Sequence, residues 1–334
     1  MLRNGWHPMQ PSDLNLQKRL KWVLMPLAWA YGALQALRRD LFRENVFRAI
    51  TVNRPVISIG ALTAGGAGKT PFVIHLANRL RDQKVAILSR GYGGEFTGTL
   101  RVTQKTSPGV AGDEPVLLSL STQADVWVGR DRANLAIQLA DRYQLFLLDD
   151  GYQHLRLKRA LNVCLVSEHD SGTMLPAGFA REWREALVDA DFVAGVNSLP
   201  DWVSSYYSGP VGVIRFNPQA WYRGGKPEDP PSDVYAFCGI ARPERFYQSL
   251  SGLRVSGRES FGDHYFYSDS DLNRIWADAK GSGARALVTT AKDAIRISGP
   301  PSTLPLFSRD VGVEWISGED EFESLLSGLS SRNR

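Results

Sequence analysis

Residues 56–71 read Val56-Ile-Ser-Ile-Gly-Ala-Leu-Thr-Ala-Gly-Gly-Ala-Gly-Lys-Thr-Pro71. Val56–Ile59 has the β-branched character of a buried strand, Pro71 suits the first turn of a helix, and a glycine-rich turn joins them. The glycines let backbone N–H groups turn towards phosphate oxygens. Lys69 supplies a positive charge for terminal phosphates, and the Thr70 hydroxyl can ligate Mg²⁺. Thr63, Ala64, Gly65, Gly66, Ala67, Gly68, Lys69 and Thr70 are therefore the expected nucleotide cradle. Position 63 departs from G-x-x-x-x-G-K-[ST], in which glycine stands first, and Gly65-Gly66 is expected to supply the flexibility. Such a strand, loop and helix point to a P-loop NTPase-like α/β fold, a parallel sheet flanked by helices.

Outward from this stretch, short β-branched runs alternate with amphipathic ones. Strands are expected at Val85–Leu88, Val126–Val128, Leu145–Leu148, Val163–Val166 and Phe192–Gly195, and helices at Phe72–Leu80, Glu114–Leu120, Ala133–Ala140 and Arg181–Leu187. Gly224–Ser232 is rich in turn formers and charge and reads as a linker. Beyond it the same logic repeats, with strands at Val234–Phe237 and Ala286–Val288 and a helix from Pro243. The expected division is a basic segment 1–54, a P-loop domain 55–223, the linker 224–232 and a smaller C-terminal α/β domain 233–334, whose Ser/Arg/Asn tail after Leu329 should fray. A chain of 334 residues, 43% hydrophobic and 22% charged, is globular and can form a core without disulfides or metal staples. Cys164 and Cys238 fit neither a disulfide framework nor a zinc spacing, and both are expected reduced in strands.

The charge is uneven. Residues 1–54 hold nine Lys/Arg against three Asp/Glu, while the whole chain carries only +4, so the remainder is slightly acidic. From Trp22 to Leu37 there is no formal charge, with Lys18, Arg19 and Lys21 before the stretch and Arg38 and Arg39 after it. About 20 apolar residues are needed to span a bilayer; this run is shorter and contains Pro26, Gly32 and Gln35. Leu20, Val23, Leu24, Leu27, Tyr31, Leu34, Leu37 and Leu41 recur at helical spacing. They allow either an interfacial helix over 18–41 or a helix packed on its own domain. Basic residues bracketing an apolar run favour a lipid surface over nucleic acid as partner. No cleavage site of small residues follows, so the chain is expected to stay in the cytoplasm.

A nucleotide site needs an acidic residue at the end of an apolar strand. Leu145-Phe-Leu-Leu-Asp-Asp150 provides one, with Asp149 and Asp150 as metal candidates opposite Thr70. Partitioning ATPases carry a second lysine where this chain has Ala64.

The cradle, together with Ser89-Arg-Gly-Tyr-Gly93, Gly112-Asp-Glu-Pro115, Asp149-Asp-Gly-Tyr-Gln-His154 and Leu175-Pro-Ala-Gly178 with Arg181-Glu182, resembles the tetraacyldisaccharide 4'-kinase family of lipid A biosynthesis. Gly239-Ile240 with Pro243-Glu244, Phe261-Gly-Asp-His-Tyr265 and Thr289-Thr-Ala-Lys-Asp293 extend the resemblance over nearly the whole chain. The chain departs from the family pattern at Ala61, Ala67, Phe179-Ala180 and Ala291.

The resemblance implies transfer of the ATP γ-phosphate to the 4'-hydroxyl of a tetraacylated glucosamine disaccharide 1-phosphate, at the cytoplasmic face of the bacterial inner membrane. It favours the interfacial helix, because a multiply acylated substrate stays in the bilayer. It also implies Asp113 as general base and His264 as its partner, on different domains that close over substrate. Glu182 is a further candidate at the metal or the sugar. Arg90, Arg130, Arg132 and Arg181 are candidates for the 1-phosphate or ATP. Lys292 and Asp293 are expected to form a structural pair. The competing readings are a membrane-associated P-loop ATPase or GTPase switch without an acceptor, and a kinase for a soluble small molecule.

Overall fold

The computed structural model describes residues 11–297 and 304–331. Side chains before Lys21 lie outside the described ones, so nothing is said of those of Lys18, Arg19 and Leu20. Residues 332–334, and with them the end of the expected frayed tail, are also outside. Among the described residues, one compact unit spans Arg19–Asn217 and resumes at Gly312, and the other comprises residues 11–18 and Pro218–Val311.

In chain order the first unit contains α1 (Pro11–Arg43, within the unit from Arg19), β1 (Val56–Ala61), α2 (Lys69–Arg79), β2 (Val85–Ser89) and β3 (Thr99–Val102). Next come α3 (Pro108–Ala111), α4 (Asp113–Ser121), β4 (Asp125–Gly129), α5 (Arg132–Leu139), β5 (Leu145–Asp149), β6 (Leu161–Val166), β7 (Phe192–Val196) and the start of β8 (Val211–Arg223). Its strand order is β8-β7-β6-β1-β5-β2-β4-β3, parallel throughout except for the edge strand β3. The central strands are buried along their whole length, as a sheet covered on both faces requires. On one face Val56, Leu88, Phe146 and Leu148 meet Ala133, Leu135 and Leu139 of α5. Elsewhere Leu62, Tyr152, Cys164 and Val193 pack with Ala186 and Leu187. Cys164 in β6 is a free buried thiol.

The second unit contains β9 (Lys226–Pro227), β10 (Asp233–Cys238), α6 (Pro243–Gln248), β11 (Arg254–Ser260), α7 (Asp269–Gly281), β12 (Ala286–Thr290), α8 (Ala291–Ala294) and the first half of β13 (Leu306–Ser317). Its order is β11-β10-β12-β13, all parallel. Phe246 and Leu250 lie among the residues packed with Val234, Ala236 and Val288, while Leu272, Ile275 and Trp276 of α7 pack with Tyr235, Phe237 and Leu287. Cys238, in β10, is likewise free and buried.

The expected domain boundaries are displaced. Residues 224–232 begin as a hairpin rather than a linker: β9 pairs antiparallel with the end of β8, and Gly224 and Gly225 adopt the positive φ of a tight two-residue turn. The C-terminal segment does not stay with the second unit. From Gly312 it rejoins the P-loop unit, where Trp315 of β13 and Phe322 of α9 (Glu319–Ser331) pack with Phe72 and Phe192. Burial of four aromatic rings holds the end of the chain there.

α1 is apolar on two faces. Leu24, Met25, Ala28 and Tyr31 pack with Met174, Ala177, Ala180 and Trp183. Gly32 allows that approach: a Cβ there would lie 2.6 Å from Cε2 of Trp183. On the other side Trp22 is 82% exposed and Trp29 63%, and Val23, Leu27, Leu34 and Leu37 are exposed as well. The predicted stripe is thus divided, with Leu24 and Tyr31 turned inward and Val23, Leu27, Leu34 and Leu37 outward. Among the described residues no helix is long and apolar enough to cross a membrane.

Candidate functional site

β1 ends at Ala61, and the chain runs through the glycine-rich loop into α2, whose first residue is Lys69. Gly65, Gly66 and Gly68 take φ of 70°, 62° and 79°, so left-handed backbone falls on glycine, whereas Thr63 is not among the positive-φ residues. That explains why a threonine is tolerated at 63. Gly68 is doubly constrained, because a Cβ would also lie 2.1 Å from the Phe216 ring.

The first two cradle positions are engaged within the protein. Thr63 Oγ1 donates to Asp170 Oδ1 at 3.0 Å, and Ala64 N–H donates to the Phe179 carbonyl at 2.8 Å. Thr63 and Ala64 therefore anchor the loop, and the backbone that follows them is left to receive an anion. Arg181 N–H donates to Leu62 O at 2.7 Å, so segment 174–182 runs along the loop's root. The expected helix at Arg181–Leu187 does not form there. The chain forms only a 3₁₀ turn at Arg184–Asp189.

β5 lies parallel to β1 with Ile59 level with Asp149, which brings the acidic pair beside the loop. Lys69 Nζ lies 3.3 Å from Asp150 Oδ1, and Arg181 donates to Asp150 Oδ2 at 2.7 Å. Burial would raise the Asp150 carboxyl, but Lys69 and Arg181 outweigh it and hold the group well below the usual carboxylate range. Asp149 behaves oppositely. Burial, reinforced by Glu114 and Asp150, pushes it up to about 7. Ser89 Oγ donates to Asp149 Oδ2 at 3.3 Å, while Oδ1 is buried and has no hydrogen-bond partner. A buried carboxylate oxygen of this kind, close to the hydroxyl-bearing start of α2, suits a divalent cation.

The other candidates fall into different settings. Arg132 is buried and donates to the carbonyls of Asp149 (2.7 Å) and Asp150 (3.2 Å), so it supports the acidic turn rather than presenting itself to a ligand. Arg90 and Arg130 are exposed. Glu182, a candidate at the metal, is buried in an ion pair with Arg39 of α1; Arg39 also bonds Asp189, to which Arg43 adds a contact at 3.0 Å. Arg39 thus points into the protein and not, as its position after the apolar run suggested, outward. Arg38 donates to the Gln153 carbonyl at 3.3 Å, and Gln153 Nε2 to the Ala61 carbonyl at 2.9 Å, so α1 also holds the turn after Asp150.

Asp113 opens α4, is only 4% exposed, and accepts from Glu114 N–H at 3.0 Å. Glu114, which sequence reasoning did not single out, is near enough to raise Asp149. Its signal was its place in Gly112-Asp-Glu-Pro115.

In the other unit two of the C-terminal motifs meet at Asp293, joined by Tyr267 from just beyond the third. This fully buried carboxylate accepts from Gly239 N–H (3.0 Å), Tyr267 OH (3.0 Å) and Thr290 Oγ1 (2.6 Å), and pairs with Arg296 (3.3 Å). The expected Lys292–Asp293 pair does not form. Lys292 Nζ instead lies 3.2 Å from His264 Nε2 and 3.4 Å from Asp263 Oδ1.

A family model described as LpxK, tetraacyldisaccharide-1-P 4'-kinase, matches residues 20–330. A tetraacyldisaccharide 4'-kinase of Geobacter metallireducens is 37% identical over 306 residues, covering 83% of this chain and 88% of that protein. One from Hyphomonas neptunium is 38% identical over 302 residues, covering 86% of each. The crystal structure of LpxK from Aquifex aeolicus, described as an "apo" form in complex with ATP, superposes with a TM-score of 0.76 at 29% identity, covering 93% of this chain and 99% of that one.

Proposed function

The chain belongs to the tetraacyldisaccharide-1-P 4'-kinase family, and on that premise we propose how its residues transfer the γ-phosphate of ATP to the 4'-hydroxyl of an acylated glucosamine disaccharide 1-phosphate. The carrying observation is the charge arrangement at the head of α2. Lys69 is held 3.3 Å from Asp150, whose other oxygen is clamped by Arg181, beside the unbonded buried oxygen of Asp149.

Amides of Gly65–Thr70 receive the β- and γ-phosphates, and Lys69 balances charge that spreads over the transferring group. Thr70 and Asp149 would hold Mg²⁺, with Asp150 fixing Lys69. A cation there would neutralise the phosphates and polarise the bond to be broken. Glu182 is not proposed as a ligand, because Arg39 already engages its carboxylate. Asp113 takes the proton leaving the sugar hydroxyl, with His264 as its partner. Of the four arginines, Arg90 and Arg130 are exposed enough to meet the 1-phosphate. The outer face of α1 lies in the cytoplasmic leaflet of the bacterial inner membrane. Burying each CH₂ of a lipid chain is worth about 0.8 kcal/mol, so the acylated acceptor stays in the bilayer and the enzyme comes to it.

The test is incubation with ATP labelled at the γ-position and detergent-dispersed acceptor. Label is expected in the acceptor. Lys69→Ala, Asp113→Ala and His264→Ala are each expected to lower transfer by about 10²- to 10⁴-fold, the last two without losing nucleotide binding. Normal transfer by Asp113→Ala would remove it as base. Nucleotide hydrolysis that ignores the acceptor would favour a membrane-bound switch instead.

A further inference from the structure

Lys292 belongs to a motif, Thr289-Thr-Ala-Lys-Asp293, for which the reading above has no use. Its ammonium has three donors and no acceptor, so its 3.2 Å contact with His264 Nε2 can only be a hydrogen bond from Nζ to a ring nitrogen that carries no proton. The rival arrangement would have Nε2 protonated and donating to Asp263. That carboxylate oxygen lies 3.7 Å away, beyond hydrogen-bond length, whereas Asp263 Oδ1 is 3.4 Å from the ammonium. Both ends of the contact are fixed. Thr290 caps α8 by accepting from Asp293 N–H at 3.1 Å, and the buried Asp293 anchors the turn from which Lys292 projects. His264 has a φ of 59°, unusual for a non-glycine residue, and its backbone N–H donates to Asp263 Oδ1 at 3.1 Å.

We propose that Lys292 is a positioning residue whose ammonium, shared with Asp263, fixes the His264 ring in the tautomer with its proton on Nδ1. The proposal rests on the role given to His264 above. A ring protonated at Nδ1 presents a donor on the side away from Lys292, which can orient a carboxylate. The other tautomer presents a lone pair there, which repels one. Lys292 thus acts on the reaction through the imidazole and not by touching substrate.

The decisive measurement is the ¹⁵N shift of the His264 ring nitrogens in full-length protein labelled at histidine, with His264→Ala assigning the signals. In the wild type Nε2 is expected to be the unprotonated nitrogen, and in Lys292→Met that preference should be lost. A protonated Nε2 in the wild type, or an unchanged pattern in the variant, would overturn the proposal. The wild-type spectrum decides even if Lys292→Met folds poorly. In steady-state transfer, Lys292→Met should lower kcat about tenfold or more with KM for ATP and acceptor little changed, and Lys292→Arg should recover part of the loss. Added to His264→Ala, Lys292→Met should cost nothing further. Additive losses, or a rise in KM alone, would mean that Lys292 meets substrate directly and would sink the proposal. Full transfer by His264→Ala would instead overturn the role of His264, leaving the ring-nitrogen shifts to decide the Lys292 contact.

Discussion

Asp149 and Asp150 are adjacent in sequence and shifted in opposite directions. The first is buried beside two other carboxylates and pushed up to about 7, and the second is held down by Lys69 and Arg181. Sequence identified both as acidic groups at a strand end, but their division depends on which cations reach which oxygen. That was invisible, because Arg181 and Lys69 come from segments far apart in the chain. His154, four residues on, gives a cleaner test. Burial lowers it from 6.5 to about 3, with Arg132 adding to the effect, and its Nε2 has no hydrogen-bond partner. Between about pH 6.5 and pH 3 the unfolded chain takes up a proton that the folded chain refuses, so this histidine costs stability as pH falls through that window and nothing above it. The urea midpoint of His154→Gln, measured against the wild type, should therefore gain steadily from pH 7 to pH 4. A constant difference would show that the ring titrates normally in the fold.

At the scale of elements, strands were more legible than what joins them. All six expected strands of the P-loop unit form, because each is a short apolar run that the sheet buries wholly or in large part. β3, β8, β9, β11 and β13 were missed: β3 is a half-exposed edge strand, β9 has two residues, β11 is largely exposed, and β8 and β13 mix exposed and covered positions and carry the chain between the units. α1 was legible as a helix but not in its inward charge. Arg39 is buried between Glu182 and Asp189, and removing it leaves two carboxylates with one cation fewer in a poorly solvated place. Loss of one partner of a buried ion pair costs about 3–5 kcal/mol. Arg39→Ala should lower the free energy of unfolding by about that much, as read by urea titration. Lys21→Ala, on the same helix but exposed, should stay within about 0.5 kcal/mol of the wild type. Equal effects would mean that Arg39 does not seat α1 on the loop at 174–183.

For the whole molecule, the basic N-terminal segment suggested a lipid surface, and the structure divides its residues between two tasks. Arg38 and Arg39 turn inward to hold the turn after Asp150 and the carboxylate of Glu182. What faces outward is mainly apolar: Trp22, Val23, Leu27, Trp29, Leu34 and Leu37, with Val46 and Phe47 just past the helix end and the exposed cations Lys21 and Arg48 nearby. Exposed apolar surface this concentrated marks a place that water does not cover in use, and paired tryptophans suit the boundary between headgroups and acyl chains. A basic residue near an anionic leaflet adds about 1 kcal/mol, a term that salt screens, whereas inserted hydrocarbon is insensitive to salt. Sedimentation with vesicles containing anionic lipid should accordingly weaken at high salt without vanishing. Trp22→Ser combined with Leu27→Ser and Leu34→Ser should abolish it at any salt. Because these side chains point away from the contacts made by Leu24, Ala28 and Tyr31, the triple variant should keep its fold and its transfer to detergent-dispersed acceptor, and fail only when the acceptor is embedded in a bilayer. Undiminished sedimentation of that variant would show that the outer face of α1 is not what holds the enzyme to lipid. Loss of transfer in detergent as well would mean that this face meets the acceptor rather than the membrane.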